Sequence, residues 1–173
     1  ARPNRPSVRD AAASLRHVRW RWLDVAVGAP VPADWHWAYV PEPRLPFFRV
    51  GVYSNAAATM APPGCAGLYV ELTDRTGPID LPAVLAGLVE LGALRDPADV
   101  RFVEAREVEH AYVVFDAAWE AARATILGWL EGQAIRSCGR YGGWVYNGME
   151  DCLIAGRDAA TWSSGHVHAE DRA

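Results

Sequence analysis

The chain has no lysine: its 17 basic side chains are all arginine and stand against 21 carboxylates, a net charge of −4 over 173 residues. Without a basic field nothing holds a nucleic-acid backbone non-specifically, so nucleic acid is not an expected partner and any bound anion must be held by local donors. Cysteine is scarce as well. Cys65, Cys138 and Cys152 show no C-x-x-C spacing, and their odd number leaves one unpaired. That excludes a zinc ribbon or a disulfide framework and points to a reducing, cytoplasmic setting. No apolar run approaches the roughly 20 residues that cross a bilayer, so no membrane span is expected. The opening residues 1–10 are polar, with arginine and proline, and lack the apolar segment of a secretory signal. No methionine stands first, and residues 1–14 read as a polar connector, so the chain is expected to be part of a longer protein.

Hydrophobic residues make up 51% and charged residues 22%, a globular balance that rules out disorder as the global state. Residues 15–28 alternate, with Val18, Trp20 and Trp22 on one side and Arg19 and Arg21 on the other, the period of a half-buried strand. Residues 35–40, 47–54 and 67–73 are rich in aromatic and β-branched side chains bounded by proline or glycine, and extend this into an antiparallel meander. The intervening stretch with Pro62, Pro63 and Gly64 is too long for a tight hairpin and reads as a surface excursion. Asp80 is placed to cap a helix with Pro82 in its first turn, and that helix is apolar almost all round, so burial on more than one side is expected. Residues 99–115 return to strand character. Asp116 then caps a helix whose Trp119, Ala122, Ile126, Trp129 and Leu130 recur at helical spacing, closed by Gly132. Residues 134–138 read as a short strand, followed by a glycine-rich loop and a helix over 149–160 with Asn147 as its candidate cap. The expected class is α+β: a mostly antiparallel sheet with packed helices over 15–133, a strand-loop-helix over 134–162, and a tail over 163–173.

The segment 135–160 combines three parts of an anion site. Glycines let the backbone approach a ligand, a helix start offers free N–H groups, and Arg140 supplies a two-pronged fork. The alternative is a surface loop whose arginine pairs with an acid. Elsewhere the five histidines show no catalytic spacing, and the small thiols of Cys138 and Cys152 read as buried structural residues. His166 and His168 form an H-x-H pair in a polar terminal stretch that reads as a frayed tail more than a metal site. Glu104, Glu107 and Glu109 read as a solvated strand edge. No catalytic acid or base follows from spacing.

The run Gly139-Arg140, Trp144, Tyr146, Met149-Glu150-Asp151, Gly156 and Ala159-Ala160 resembles the C-terminal flavin-binding signature of the FAD-dependent oxidoreductases that include UDP-galactopyranose mutase, protoporphyrinogen oxidase and the flavin amine oxidases. Residues 35–55 and 60–72 are similar to substrate-domain strands of the mutase-like and protoporphyrinogen-oxidase-like branch, and the two stretches occur in the family's order. The resemblance implies FAD as cofactor, with Arg140 approaching its pyrophosphate and the helix start at Met149, Glu150 and Asp151 approaching the pyrimidine edge of the flavin. Gly139, Trp144 and Tyr146 complete the implied cofactor contacts. Trp37, Tyr39, Phe48, Arg49 and Tyr53 become candidates for a small-molecule substrate, although strand alternation sends only every second residue to one face.

One departure matters. The family opens with a βαβ unit carrying G-x-G-x-x-G and a later acidic residue, and neither occurs here. The chain is therefore expected to supply the substrate side and the last flavin-contacting segment, and to need a Rossmann-type FAD half in the same longer chain or on a partner. Alone it should bind FAD poorly. Two further readings stand beside this one: a galactopyranose-mutase-like isomerase, which needs paired arginines facing a diphosphate, and a non-catalytic binding module.

Overall fold

A computed structural model describes residues 6–170, with side chains described over 7–165. The chain divides into two compact units, one from the described residues of 1–18 and 110–173 and the other from 19–109. The passages between them fall inside strands β1 (His17–Val27) and β5 (Val100–Val113).

The 19–109 unit is built on period-two patterning. With β2 (Trp37–Tyr39), β3 (Phe47–Val52) and β4 (Ala66–Leu72), the strands form a five-stranded sheet in the order β2-β3-β4-β1-β5. Antiparallel registers set Leu23 against Val70, Val50 against Val70 and Ala38 against Val50. One face is therefore continuous hydrocarbon: Leu23, Val25 and Val27, then Phe47, Val50 and Val52, then Leu68, Val70 and Leu72, all buried. Helix α3 (Leu81–Glu90) covers that face through Val84 and Leu88, and Ala93 and Leu94 behind it complete the core.

Asp80 Oδ1 accepts from the Ala83 N–H at 3.1 Å and Pro82 occupies the first turn, as the sequence pattern requires. The helix buries one side, not several, because Ala86 and Val89 stay exposed. Arg44 pairs with Glu90 at its solvent end, an exposed pair of small value. The excursion between β3 and β4 holds a short helix α2 (Tyr53–Ala56) and a single 3₁₀ turn at Ala58–Met60.

In the other unit, helix α1 (Pro6–Ser14) packs on α4 (Trp119–Glu131), so a helix occupies much of the stretch read as connector. Asp116, expected as the cap of this helix, accepts from Ala118 N in the turn before it; the cap position is Ala118, with no side-chain bond, while Gly132 caps the C-terminus of α4. Residues 134–138, expected as a strand, have no ladder partner among the described residues. After α4, Ala134 turns into the left-handed region at φ 56°, and Ser137 Oγ donates to the Gly142 carbonyl instead of entering a sheet. A one-turn helix α5 (Gly139–Gly142) and a long α6 (Met149–Glu170) follow, α6 running past the expected end at Ala160. The side chains of His166 and His168 lie outside the described residues. Among the described residues no helix is long and apolar enough to cross a membrane.

Candidate functional site

The face of the sheet opposite α3 is aromatic. Residues out of phase with Leu23 and Val25 put Trp20, Trp22 and Asp24 there, and Tyr69 and Glu71 follow from β4. On the edge strand β2, Trp37 and Tyr39 lie two residues apart with their rings edge-on at 5.1 Å. A bulge in β3 decides the rest. Phe47 pairs with Leu72 but Arg49 pairs with Glu71, so Phe48 is an extra residue in the ladder. Alternation would have sent Phe48 and Arg49 to opposite faces. The bulge lets Phe48 reach the Trp20 ring, at 5.1 Å and edge-on, while Arg49 bonds Glu71 and lies 5.6 Å from the Tyr39 ring centroid. All five residues expected on the substrate side thus take part in contacts of this unit, with Tyr53 joining through its ring against Tyr69 at 5.0 Å.

Most polar groups on this face are paired. Glu71, a buried charged residue at 6% exposure, accepts from Arg49 Nη2 through Oε1. Its Oε2 and the Nε of Arg49 are buried with no hydrogen-bond partner among the described residues. Burial opposes the charge on Arg49, but the bond to Glu71 and the charge of Glu71 outweigh it and hold its pKa above the ordinary arginine value. Tyr53 donates to Asp24 Oδ1 at 3.0 Å, and Arg106 donates to Asp24 Oδ2 at 2.6 Å. Burial, reinforced by the Asp24 carboxylate, pushes the Tyr53 phenol up to about 12. Trp20, Trp22, Tyr53, Tyr69 and Glu71 line a hollow of about 330 Å³. Pattern reasoning passed over Trp22, Tyr69 and Glu71, although their phase relative to the core residues was the available signal.

The glycine-rich loop forms a second site in the other unit. Gly139 starts α5 at φ 75°, a left-handed conformation open to glycine at no steric cost. Arg140 donates to the Ala111 carbonyl at 3.3 Å and, at a long 3.5 Å, to that of Asn147. Its guanidinium lies 4.6 Å from the Tyr112 ring centroid and 4.9 Å from that of Tyr146, and the two rings stack with an interplanar angle of 20°. No carboxylate pairs with Arg140 among the described residues, which removes the reading of an arginine tied to an acid.

Asn147 accepts from Arg140 through its backbone carbonyl, and no bond from its side chain caps α6 among the described residues. The cap position belongs to Gly148, whose N–H donates to Asp151 Oδ2 at 2.8 Å. No side chain among the described residues accepts from the N–H groups of Met149, Glu150 or Asp151, and Met149 is 88% exposed. The carboxylates of Glu150 and Asp151 in this first turn suit a neutral, hydrogen-bond-accepting edge better than a phosphate.

Trp144 supports the loop from within. Its backbone is left-handed at φ 49°, its carbonyl accepts from Trp119 Nε1 at 2.9 Å, and its ring meets His17 and His110 edge-on. Arg123 donates to the Gly143 carbonyl from α4. A hollow of about 430 Å³ beside the loop takes in Gly139 alone of the expected cofactor residues. Cys138 is exposed, not buried as expected, and all three thiols are free. The acidic residues of β5 are partly paired, Glu104 with Arg106 and Glu107 and Glu109 with Arg19.

No protein-family model matches the chain, and no curated protein matches its sequence. Solved structures do match. A crystal structure of reduced UDP-galactopyranose mutase aligns with a TM-score of 0.67 at 22% identity, over 79% of this chain and 31% of that one. A protein described as a protoporphyrinogen oxidase from Exiguobacterium sp. 255-15 aligns with a TM-score of 0.64 at 11% identity, over 90% of this chain and 36% of that one. At these identities the likeness establishes the fold: an α+β sheet with packed helices that forms a portion of each larger protein. The chain spans about a third of the length of either.

Proposed function

We propose that the chain is the substrate side and the last cofactor-contacting segment of an FAD-dependent oxidoreductase, completed by a dinucleotide-binding half in a longer chain or on a partner. The fold likeness and the loop motif support this reading, while the absence of G-x-G-x-x-G favours the binding module. The observation that carries it is Arg140. A half-buried guanidinium held by two carbonyls and two tyrosine faces, with no carboxylate partner among the described residues, keeps its charge available for an anion. The residues present fit part of FAD: Arg140 for the pyrophosphate and the free N–H groups at Met149, Glu150 and Asp151 for the flavin edge. When bound, the flavin supplies the hydride or electron transfer. Gly139 gives the backbone turn, Tyr146 and Tyr112 fix the guanidinium plane, and Trp144 holds the loop against α4. Trp37, Tyr39, Phe48, Arg49 and Tyr53 belong to the substrate side.

A mutase-like reading draws on the alignment with the mutase, but a diphosphate needs cations to spare. Arg49 is held by Glu71, and Arg106 by Asp24 and Glu104, so the oxidoreductase reading is preferred. The exposed Ile135, Tyr146, Met149 and Leu153 fit a surface that another domain covers, in an enzyme or in a binding module. The test is the visible spectrum and FAD titration of the protein from the complete reading frame. Flavin absorption is expected there, and Arg140→Ala should weaken FAD by about 1–3 kcal/mol, the value of a lost charge-assisted bond. Unchanged affinity removes Arg140 from the site. A complete protein that stays colourless with added FAD leaves the binding module as the reading.

A further inference from the structure

Strand β5 ends the sheet: it pairs with β1 on one side and, among the described residues, with no strand on the other. From Arg101 to His110 every residue except Val103 is exposed, so this edge is open to solvent. An open edge is a row of backbone donors and acceptors that another strand can pair with, and proteins guard such edges with lysine, proline, short strands or charge. Here β5 runs 14 residues without a proline, and the chain has no lysine. Charge is the guard that is left, and its arrangement decides what the edge accepts.

The edge is complementary to itself when read in both directions from Ala105. Antiparallel pairing with a second copy, centred there, sets Arg101 opposite Glu109, Phe102 opposite Val108, Val103 opposite Glu107, Glu104 opposite Arg106 and Ala105 opposite Ala105. Partners in this register have the same parity, so outward N–H and C=O groups meet outward ones and each side chain stays on its own face of the sheet. Arg106 bonds Asp24, which places Phe102, Glu104, Arg106 and Val108 on the open face. There Phe102, 62% exposed, and Val108, 37% exposed, cover each other. Glu104 and Arg106, already paired at 2.8 Å within one strand, alternate in sign across the seam. On the other face Arg101, which no carboxylate meets among the described residues, gains Glu109, whose present partner is Arg19 at 3.7 Å. Neighbouring registers are opposed: a centre at 104 sets Glu104 on Glu104, one at 106 sets Arg106 on Arg106, and one at 107 sets Glu107 on Glu107. Like charges directly opposite destabilise a ladder, so the charges that guard the edge also select one pairing.

We infer that β5 is a docking edge for a second copy of this chain: two copies pair antiparallel through residues 101–109 about a two-fold axis at Ala105. The contact is isologous, the same patch serving both copies, and it closes on itself without leaving a further edge of this kind. It joins the two five-stranded sheets into one, with both aromatic faces on the same side. The pairing needs no flavin and does not rest on the cofactor reading, so the two fail separately.

The test is sedimentation velocity of this chain over a concentration series, beside the protein from the complete reading frame. A monomer–dimer equilibrium is expected in both. Glu104→Arg and Arg106→Glu each set like charges opposite one another twice across the seam and should weaken the dimer by at least about tenfold. Mixed in equal amounts, the two variants oppose opposite charges at both positions, so the mixture should regain the dimer that each lacks alone. Ala105→Cys should cross-link to its own copy on oxidation, because directly opposed Cα atoms lie about 4.5–5.5 Å apart, within disulfide range. Circular dichroism checks the fold of each variant, and if either reversal fails to fold, the Ala105→Cys bridge, located by peptide mapping, carries the comparison. A chain that stays monomeric, a dimer that folded reversals leave unchanged, a mixture no tighter than its components, or a position-105 thiol that bridges only to native cysteines overturns the inference. So does a dimer that is lost in the complete protein, which would mean that another strand of the longer chain takes the edge.

Discussion

Gly51 offers a sharp test of the open sheet face. It sits in β3 directly opposite Tyr69 of β4, and the Tyr69 ring lies flat across it. A Cβ on Gly51 would stand 2.0 Å from Tyr69 Cε1, 2.2 Å from Cζ and 2.5 Å from the hydroxyl, distances no pair of atoms tolerates. Gly51→Ala therefore forces Tyr69 to leave.

Its departure forfeits the ring contact with Tyr53, worth roughly 0.5–1.5 kcal/mol beyond area, and strands the ring in a poorer position at roughly 0.5–1.5 kcal/mol more. Against this, removing a glycine restricts the unfolded chain and returns about 0.4–1 kcal/mol. The net is a loss of about 1 kcal/mol, or a drop in Tm of roughly 2–4 °C for a chain of this size. Thermal unfolding followed by circular dichroism reads it directly. The decisive comparison is the same substitution in a Tyr69→Ala background. With no ring to displace, Gly51→Ala should there become neutral or stabilising, a change of sign that propensity alone does not produce. If Gly51→Ala stabilises the parent as much as it stabilises the Tyr69→Ala protein, Tyr69 does not lie over Gly51 and the hollow is misdrawn.

Other outcomes follow from the same geometry. Gly87→Ala in α3 would gain helix propensity but press a methyl to 2.8 Å from Phe47 Cε1 and 3.1 Å from Leu45 Cδ2 in the core, so a net loss of about 1 kcal/mol in denaturant unfolding is expected. A stabilised variant would mean that the contact between α3 and the sheet is looser. Asp80→Ala removes the bond to Ala83 N and should lower stability by about 1 kcal/mol, whereas Asp80→Asn should retain most of it. Tyr53 is held protonated in the folded state, its pKa pushed up to about 12 from an ordinary value of about 10. Its contribution to stability is therefore complete below about pH 10 and is lost as pH rises through about 12, the folded value. Tyr53→Phe should flatten that alkaline limb of the stability curve, and an identical limb in the variant would show that Tyr53 is not the group responsible.

Much of the fold follows from local chemistry and was legible in the sequence. Alternation through Leu23, Val25 and Val27 assigns the faces of β1 whatever the strand pairs with, because side chains along a strand alternate. The Asp80 start and the Gly132 stop are decided within one helical turn. The cation in the glycine-rich loop was visible in the same way.

Tertiary structure alone decided who meets whom. Arg49 reaches Glu71 only because Phe48 is bulged out of the ladder, a consequence of the register between two strands more than a dozen residues apart. A tyrosine beneath Arg140 comes from position 112, and at the helix start expected to be capped by Asn147 the Gly148 N–H bonds to Asp151, while the Asn147 backbone carbonyl accepts from the guanidinium. The expected strand at 134–138 failed for the converse reason: extended backbone becomes a strand only when a neighbour supplies the ladder, and no residue type in the segment can report whether one is there. Pattern fixes the direction of each side chain relative to its own backbone. Partners across long loops are set by packing that closes over the whole chain at once.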